Sequence, residues 1–389
     1  MNDVENDIFK KIDYSKLDIV DLMKYIAKYY GANIEENEKF KKLDEVLKMK
    51  AKTLVVLVDG LGLNKVKSLS EKSLLKQNLK LSLRTVIPTS TACVLTSIYT
   101  TKYPSQHGTL GWWSYFRPKN LNYYSLLMLD RKSDLKVLDK KIKINELYNE
   151  ECIFDKFDCN VNIIMNNEYI NSDYSKVFSG SKALRAGMLD INHGFTVAAR
   201  VLQASMRNFT WLYLDGLDLM SHDYGVDSYE VQNTLNEIEK GLKYIKSKNI
   251  EDLNIIVIAD HGQINMSKAI NLNEKNDYTR YFYALPSIDT RIIEFFVKEE
   301  YMEEFEHKFR EEFSQDINLY KTEDIEKYKL FGNTQYSENI KNALGEFTAI
   351  VKSDKFLLCD DNIFKELSSH IGNHSGLDIS ELTIPLIVI

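Results

Sequence analysis

The apolar run Ile255–Ala259 stops abruptly at Asp260-His261-Gly262, an adjacent carboxylate and imidazole followed by a glycine that lets the backbone turn tightly. Burying such a pair at a strand end costs several kcal/mol unless something neutralises it, which points to chemistry rather than to a simple turn. A second stretch, Trp211-Leu-Tyr-Leu-Asp215-Gly-Leu-Asp218-Leu-Met-Ser-His222, sets Asp218 and His222 four residues apart. One helical turn then puts both on the same face, close enough to chelate one ion. Asp59 follows the run Leu54–Val58 and precedes Gly60, and by itself it reads as an aspartate opening a turn. In Ser369-His370-Ile-Gly-Asn-His374-Ser-Gly376, ahead of the last strand pattern, two histidines compete for one role. Together the four stretches supply three carboxylates and three imidazoles, which suits two divalent ions of the zinc type with three protein ligands each. A metal pair about 4 Å apart is a clamp for in-line phosphoryl displacement.

A nucleophile would complete that set. Pro88-Thr89-Ser90-Thr91-Ala92 opens the helical segment Thr91–Tyr99, so a hydroxyl sits at a helix N-terminus, where backbone amides and the macrodipole favour phosphate. The same three residues would serve as an ordinary helix cap. Gly60-Leu-Gly62 does not extend to a dinucleotide fingerprint, failing at Lys65, and no G-K-[ST] follows, so Rossmann and P-loop readings are discarded.

The elements that must position these residues are short β-branched runs: Leu54–Val58, Val161–Met165, Trp211–Leu214, Ile255–Ala259 and Thr383–Ile389. They lack polar alternation, as strands buried on both faces of a parallel sheet do. A strand-like Leu83–Ile87 leads to the threonine turn. Helical periods at Thr91–Tyr99, Asn192–Asn208 and Ser228–Lys246 alternate with the strands, so the class is α/β with right-handed crossovers. In such sheets ligands bind along the carboxyl edge of the strands.

Residues 1–50 read as a helical segment, with Ile19, Leu22, Met23, Ile26 and Tyr29 on one face, packing outside the sheet. Residues 51–276 and 344–389 form the expected catalytic core. Between them, 277–343 is charged and rich in Glu, Lys, Tyr and Phe, with a strand-like Arg291–Val297 and helix-like Glu299–Phe313 and Thr322–Tyr328, and reads as an inserted α+β cap. Strand patterns resume at Phe347–Val351 and Lys355–Leu358.

Composition limits the partners. Fifty Lys and Arg against 57 Asp and Glu leave a net charge of −7, so no global positive field gathers nucleic acid or anionic lipid, and a small anionic substrate needs a local device such as bound metal. Four cysteines without a C-x-x-C pair fit a compartment that keeps thiols reduced. With an acidic N-terminus and no apolar run long enough to span a bilayer, the expected location is the cytoplasm and no membrane partner is expected. The oligomeric state is left open.

The order Asp59, Thr91, Asp218/His222, Asp260/His261, His374 resembles the alkaline phosphatase superfamily, and most closely its nucleotide pyrophosphatase/phosphodiesterase branch, over about residues 52–389. The motifs are the strand-Asp-Gly start, P-T-S-T, Tyr103-Pro-Ser-Gln-His107-Gly108, D-x-x-x-H-x-x-G, A-D-H-G and a late His-Ser-Gly. The resemblance implies an α/β/α sandwich with a mostly parallel sheet and a small inserted cap. It implies that Asp59, Asp260 and His261 hold the metal activating Thr91, while Asp218, His222 and His374 hold the other, His374 being preferred to His370 because it directly precedes a small residue and glycine. Thr91 falls at the family's nucleophile position. Attack on phosphorus, a phosphothreonine and hydrolysis by metal-activated water would follow. Two zinc ions are expected, with manganese as the alternative, and a small phosphate ester or nucleotide as substrate.

Classical members of the branch place an asparagine five residues after the histidine of the H-G pair. Here Trp112 stands at that position, so the phosphoryl oxygen contact must come from elsewhere, for example the Thr91 amide. Trp112 and Trp113 are candidates to stack a base, with core packing the favoured alternative. Lys182 and Arg185, in Phe178-Ser-Gly-Ser-Lys182-Ala-Leu-Arg185, are candidates to meet substrate phosphate, and the segment reads equally as a surface turn. The competing readings are a monoester phosphatase, another superfamily enzyme, or a nucleotide-binding sensor without catalysis. A sulfatase is disfavoured by the absence of C-x-P-x-R or S-x-P-x-R.

Overall fold

The computed structural model describes residues 9, 12–132, 138 and 142–389. The acidic first seven residues lie outside the described residues.

The β-branched runs form one seven-stranded sheet in the order Leu79–Arg84, Thr383–Val388, Leu253–Ile258, Lys52–Val58, Asn208–Leu214, Asn160–Asn166, Leu184–Met188. Every residue of Lys52–Val58 and Asn208–Leu214 is buried, which explains why these central strands show no polar alternation. The strands from Leu253–Ile258 through Leu184–Met188 pair in parallel. Thr383–Val388 instead runs antiparallel to both neighbours. Reversed in this way, its N-terminal end lies at the edge where the parallel strands end, so the loop ahead of it reaches the same edge as Asp59 and Asp260.

Helices cover the sheet. Ile191–Ala204 packs on Asn208–Leu214, Leu184–Met188 and Asn160–Asn166, and Tyr229–Ser247 packs against that helix. Ile19–Tyr29 starts at Asp18, whose side chain accepts from the Asp21 amide, and buries Ile19, Leu22, Met23 and Ile26 completely, each removal from water stabilising by roughly 1.5–3 kcal/mol. Among the described residues no helix is long and apolar enough to cross a membrane.

Two details differ from the sequence expectation. The strand expected at Leu83–Ile87 ends at Arg84, because Thr85–Ser90 leaves the sheet as a loop containing the cis Ile87–Pro88 peptide. Phe347–Val351, read as a return to the core, lies in a second, antiparallel seven-stranded sheet. Its order is Ile317–Lys321, Phe347–Val351, Ile292–Phe295, Ser287–Ile288, Trp113–Phe116, Leu121–Tyr124, Leu129–Asp130. Pairing between strands so distant in sequence leaves no periodic signal in either segment. The Phe-rich texture of this region has a plain cause: helix Met302–Phe313 buries Phe305, Phe309 and Phe313, spaced by four, against Phe295, Phe347 and Tyr278.

Glu294 sits fully buried in this second sheet and accepts from the Gly345 amide (2.8 Å) and the hydroxyls of Thr322 (2.9 Å) and Thr348 (2.7 Å). Burial outweighs these bonds and pushes its carboxyl up to about 8. A carboxyl raised above its unfolded value of about 4.3 contributes stability that is complete below that pH and is lost as pH rises through about 8. Glu294→Gln is therefore expected to flatten the fall in urea midpoint between pH 5 and pH 8. Parallel pH slopes for variant and wild type would refute this.

Candidate metal centre and nucleophile

Level strand ends build the first half of the site. Val58 pairs with Leu214 and Leu57 with Ile258, so three parallel strands stop together, two of them releasing Asp59 and Asp260 at one edge and the third leading into helix Gly216–Tyr224, whose first turn carries Asp218. Gly60 takes φ +75°, its amide donates to Asp260 Oδ1 (3.1 Å), and a Cβ there would lie 3.2 Å from Asp218 Oδ1. Only glycine tolerates both that conformation and that approach. The His261 amide also donates to Asp260 Oδ1 (2.8 Å).

Two groups of three emerge: Asp59, Asp260 and His261, and Asp218, His222 and His374, the potential ligand atoms within each lying within 4.8 Å of one another. His261 Nε2 is 3.5 Å from Asp59 Oδ1 and 3.4 Å from Asp260 Oδ2. His222 Nε2 is 3.3 Å from Asp218 Oδ2, and His374 Nε2 is 3.8 Å from Asp218 Oδ1. The groups adjoin, since the rings of His261 and His374 stack with centroids 3.9 Å apart. Each imidazole has Nδ1 near a backbone carbonyl: Gly372 for His222 (2.8 Å), Thr89 for His374 (2.8 Å) and Gly262 for His261 (3.2 Å). Donation from Nδ1 turns all three Nε2 atoms toward the site, the orientation that metal-binding histidines take. Asp59 Oδ1 and Asp260 Oδ2 are buried without a hydrogen-bond partner. Two unpartnered carboxylate oxygens beside three Nε2 lone pairs fit divalent cations with N and O ligands.

The charges report the same crowding. Burial, then the neighbouring Asp260 and Asp218, push the Asp59 carboxyl well above the usual range. Burial works against the charge on Asp218 too, but the His222, His374 and His261 imidazoles outweigh it and hold Asp218 low. Despite its burial, His222 is raised to about 9 by Asp218.

The three hydroxyls of the threonine turn separate by their contacts. Thr89 Oγ1 donates to the Gly376 carbonyl (3.1 Å) and Ser90 Oγ to Asp289 (2.7 Å). Thr91 Oγ1, on the first residue of helix Thr91–Thr100, lies 3.1 Å from His261 Nε2. His370 stays outside both groups, its ring 4.7 Å from that of His222. Trp113 packs with Phe356 and Leu358 and, with Trp112, lines a cavity beside the site; Trp112 also borders a second cavity. Lys182, which donates to the Asp155 carbonyl (3.4 Å), and Arg185, exposed on the edge strand Leu184–Met188, line neither cavity. His107, buried, is 2.8 Å from Ser97 Oγ, a structural contact.

Four supporting residues escaped the sequence reading. The Tyr213 hydroxyl donates to Asp59 Oδ2, and the Gln263 amide donates to Asp218 Oδ1. Both stand within two residues of a recognised motif, a signal that proximity offered. Arg291 and Glu381 form a fully buried ion pair (3.0 Å) 90 residues apart, with no sequence signal at all. Glu381 accepts from the amides of Gly376 (2.8 Å) and Asp378 (3.0 Å), and the Arg291 amide donates to Ser375 Oγ (3.1 Å). This pair fixes the loop that presents His374.

Breaking that pair leaves a buried charge uncompensated, so Arg291→Met is expected to cost roughly 3–5 kcal/mol in chemical denaturation and to reduce metal retained per chain. Unchanged stability and metal content would contradict the positioning role. Asp59→Asn removes repulsion in the metal-free site while deleting a ligand. It is expected to raise the melting temperature of chelator-treated protein and to shrink the further rise on adding zinc, and the opposite signs would exclude the ligand group.

Comparison with known proteins agrees with this geometry. Residues 53–375 match the family model described as type I phosphodiesterase / nucleotide pyrophosphatase. The fold is that of human ectonucleotide pyrophosphatase/phosphodiesterase 5, at 17% identity and TM-score 0.66 over 87% of both chains. The murine protein of the same name gives 16% and 0.65, again over 87% of both chains. Phosphonoacetate hydrolase from Sinorhizobium meliloti gives 13% and 0.61 over 87% of this chain and 90% of that one. With the family model spanning the strand of Asp59 through the His374 loop, this chain belongs to the type I phosphodiesterase / nucleotide pyrophosphatase family of the alkaline phosphatase superfamily and is a phosphoester hydrolase.

Proposed function

We propose that the chain hydrolyses a phosphodiester or pyrophosphate bond in two displacements through a phosphothreonine on Thr91, with Asp59, Asp260 and His261 holding one divalent ion and Asp218, His222 and His374 the other. The observation that carries this reading is Thr91 Oγ1 at 3.1 Å from His261 Nε2, on the first residue of a ten-residue helix. Bound divalent ions of this kind supply charge for developing oxyanions and lower the pKa of water. Zinc suits the N and O ligand set, with manganese as the alternative.

Thr91 Oγ1 forms the new bond to phosphorus as the ester oxygen departs, and water then cleaves the Thr91 phosphoester and restores the hydroxyl. Backbone amides at the start of the helix face the phosphoryl oxygens, taking the place of the asparagine that Trp112 replaces. Tyr213 and Gln263 orient Asp59 and Asp218. An inactive threonine-to-alanine variant of the murine relative has been crystallised with AMP, which supports a nucleotide or similar phosphoester as substrate. The four cysteines are free, which supports a reducing compartment such as the cytoplasm.

The test is turnover of bis-p-nitrophenyl phosphate against p-nitrophenyl phosphate by zinc- or manganese-loaded protein. The diester is expected to be cleaved faster, and Thr91→Ala to lose on the order of 10³-fold or more in kcat while retaining both ions. Full activity in Thr91→Ala, or turnover unaffected by chelator, would overturn the reading.

A further inference from the structure

A cavity of about 840 Å³, counting its open mouth, leads from Thr91, Asp59 and Asp218 down beneath the nucleophile helix. Its inner wall is made of core side chains, Leu95, Tyr99, Met165, Tyr174 and Phe178, each at most 5% exposed. A substrate whose phosphorus sits at Thr91 therefore extends one arm into the hydrophobic interior.

Five of the wall hydroxyls are already committed, those of Tyr99 and Tyr169 standing apart. Tyr174 lies 2.9 Å from Thr96 Oγ1, which itself donates to the Ala92 carbonyl, so the tyrosine is the donor. Ser172 Oγ donates to Ser175 Oγ (3.0 Å), Ser175 Oγ to the Met165 sulfur (3.5 Å), Ser179 Oγ to the Ser175 carbonyl, and Tyr213 to Asp59. A nucleobase in this cavity would set most of its ring nitrogens and exocyclic groups against apolar wall or groups already engaged, each unmet bond weakening binding by roughly five- to 150-fold. A second phosphate on the arm would face the Asp215 carboxylate, which also lines the cavity.

We propose, on the basis of the phosphodiesterase reading above, that this cavity selects phosphodiesters carrying an uncharged hydrocarbon arm, alkyl or aryl, over nucleoside esters. Such an arm exchanges water for the apolar wall without leaving a polar group unpaired.

Three diesters sharing one leaving group test this: methyl, n-butyl and thymidine 5′ p-nitrophenyl phosphates, with metal-loaded wild-type protein. Each methylene buried in the cavity raises kcat/KM by roughly fourfold, so the butyl ester is expected to exceed the methyl ester at least tenfold and to exceed the thymidine ester. Leu127→Trp, narrowing the cavity from a half-buried wall position, is expected to bring the butyl-to-methyl ratio towards one. Equal turnover of methyl and butyl esters, or preference for the thymidine ester, overturns the hydrocarbon arm and leaves the phosphodiesterase reading standing. Cleavage of none of the three overturns both.

Discussion

Carboxylates packed against one another at the end of a buried sheet are the constraint around which this molecule is organised. Asp59 and Asp260 leave adjacent strands at the same height and Asp218 follows on the first turn of a helix, so three carboxylates share one buried edge, where desolvation and its neighbours disfavour the charge on Asp59. Nothing in the apolar core offsets that cost. The imidazoles of His222, His261 and His374, their Nδ1 atoms tied to main-chain carbonyls, complete a cradle whose remaining lone pairs point inward. The local architecture is best understood as what is needed to hold like charges together until cations arrive.

That requirement accounts for the polar residues buried behind the site. Tyr213 and Gln263 each give a hydrogen bond to a carboxylate oxygen. Asp289 holds Ser90, and Thr290 Oγ1 donates to Asn373 Oδ1 (3.2 Å), so the second sheet grips both the threonine turn and the residue beside His374. Arg291 and Glu381 do the same for the loop after His374. The two sheets are thus joined through the catalytic loops, and distortion of either reaches Thr91 or His374 through a short chain of hydrogen bonds.

The sequence revealed this site more fully than the fold around it, for physical reasons. Asp260-His261-Gly262 is conspicuous because a charged pair directly after five apolar residues has no cheap structural explanation. Asp218 and His222 announce themselves by helical spacing, and that helix is present as Gly216–Tyr224. The central strands were legible because burial on both faces excludes polar residues from them. By contrast, Trp113–Phe116 and Ile292–Phe295 each pair with a near neighbour on one side and with a strand far off in the chain on the other, and no local pattern encodes that distant pairing. The Arg291–Glu381 pair was invisible for the same reason. Residue type does not separate Thr89, Ser90 and Thr91; position at the start of the helix singles out Thr91, and each hydroxyl touches a different partner.

The placement of Thr383–Val388 has a kinetic corollary. This strand is not an edge addition but a wedge between Leu79–Arg84 and Leu253–Ile258, and its preceding loop brings in His374 and Glu381. A nascent chain on the ribosome can assemble the central parallel strands early, yet it holds an open seam in the sheet and half a cradle until residue 388 has left the exit tunnel. The sheet and the cradle are consequently completed by one late event, the insertion of Thr383–Val388 into that seam.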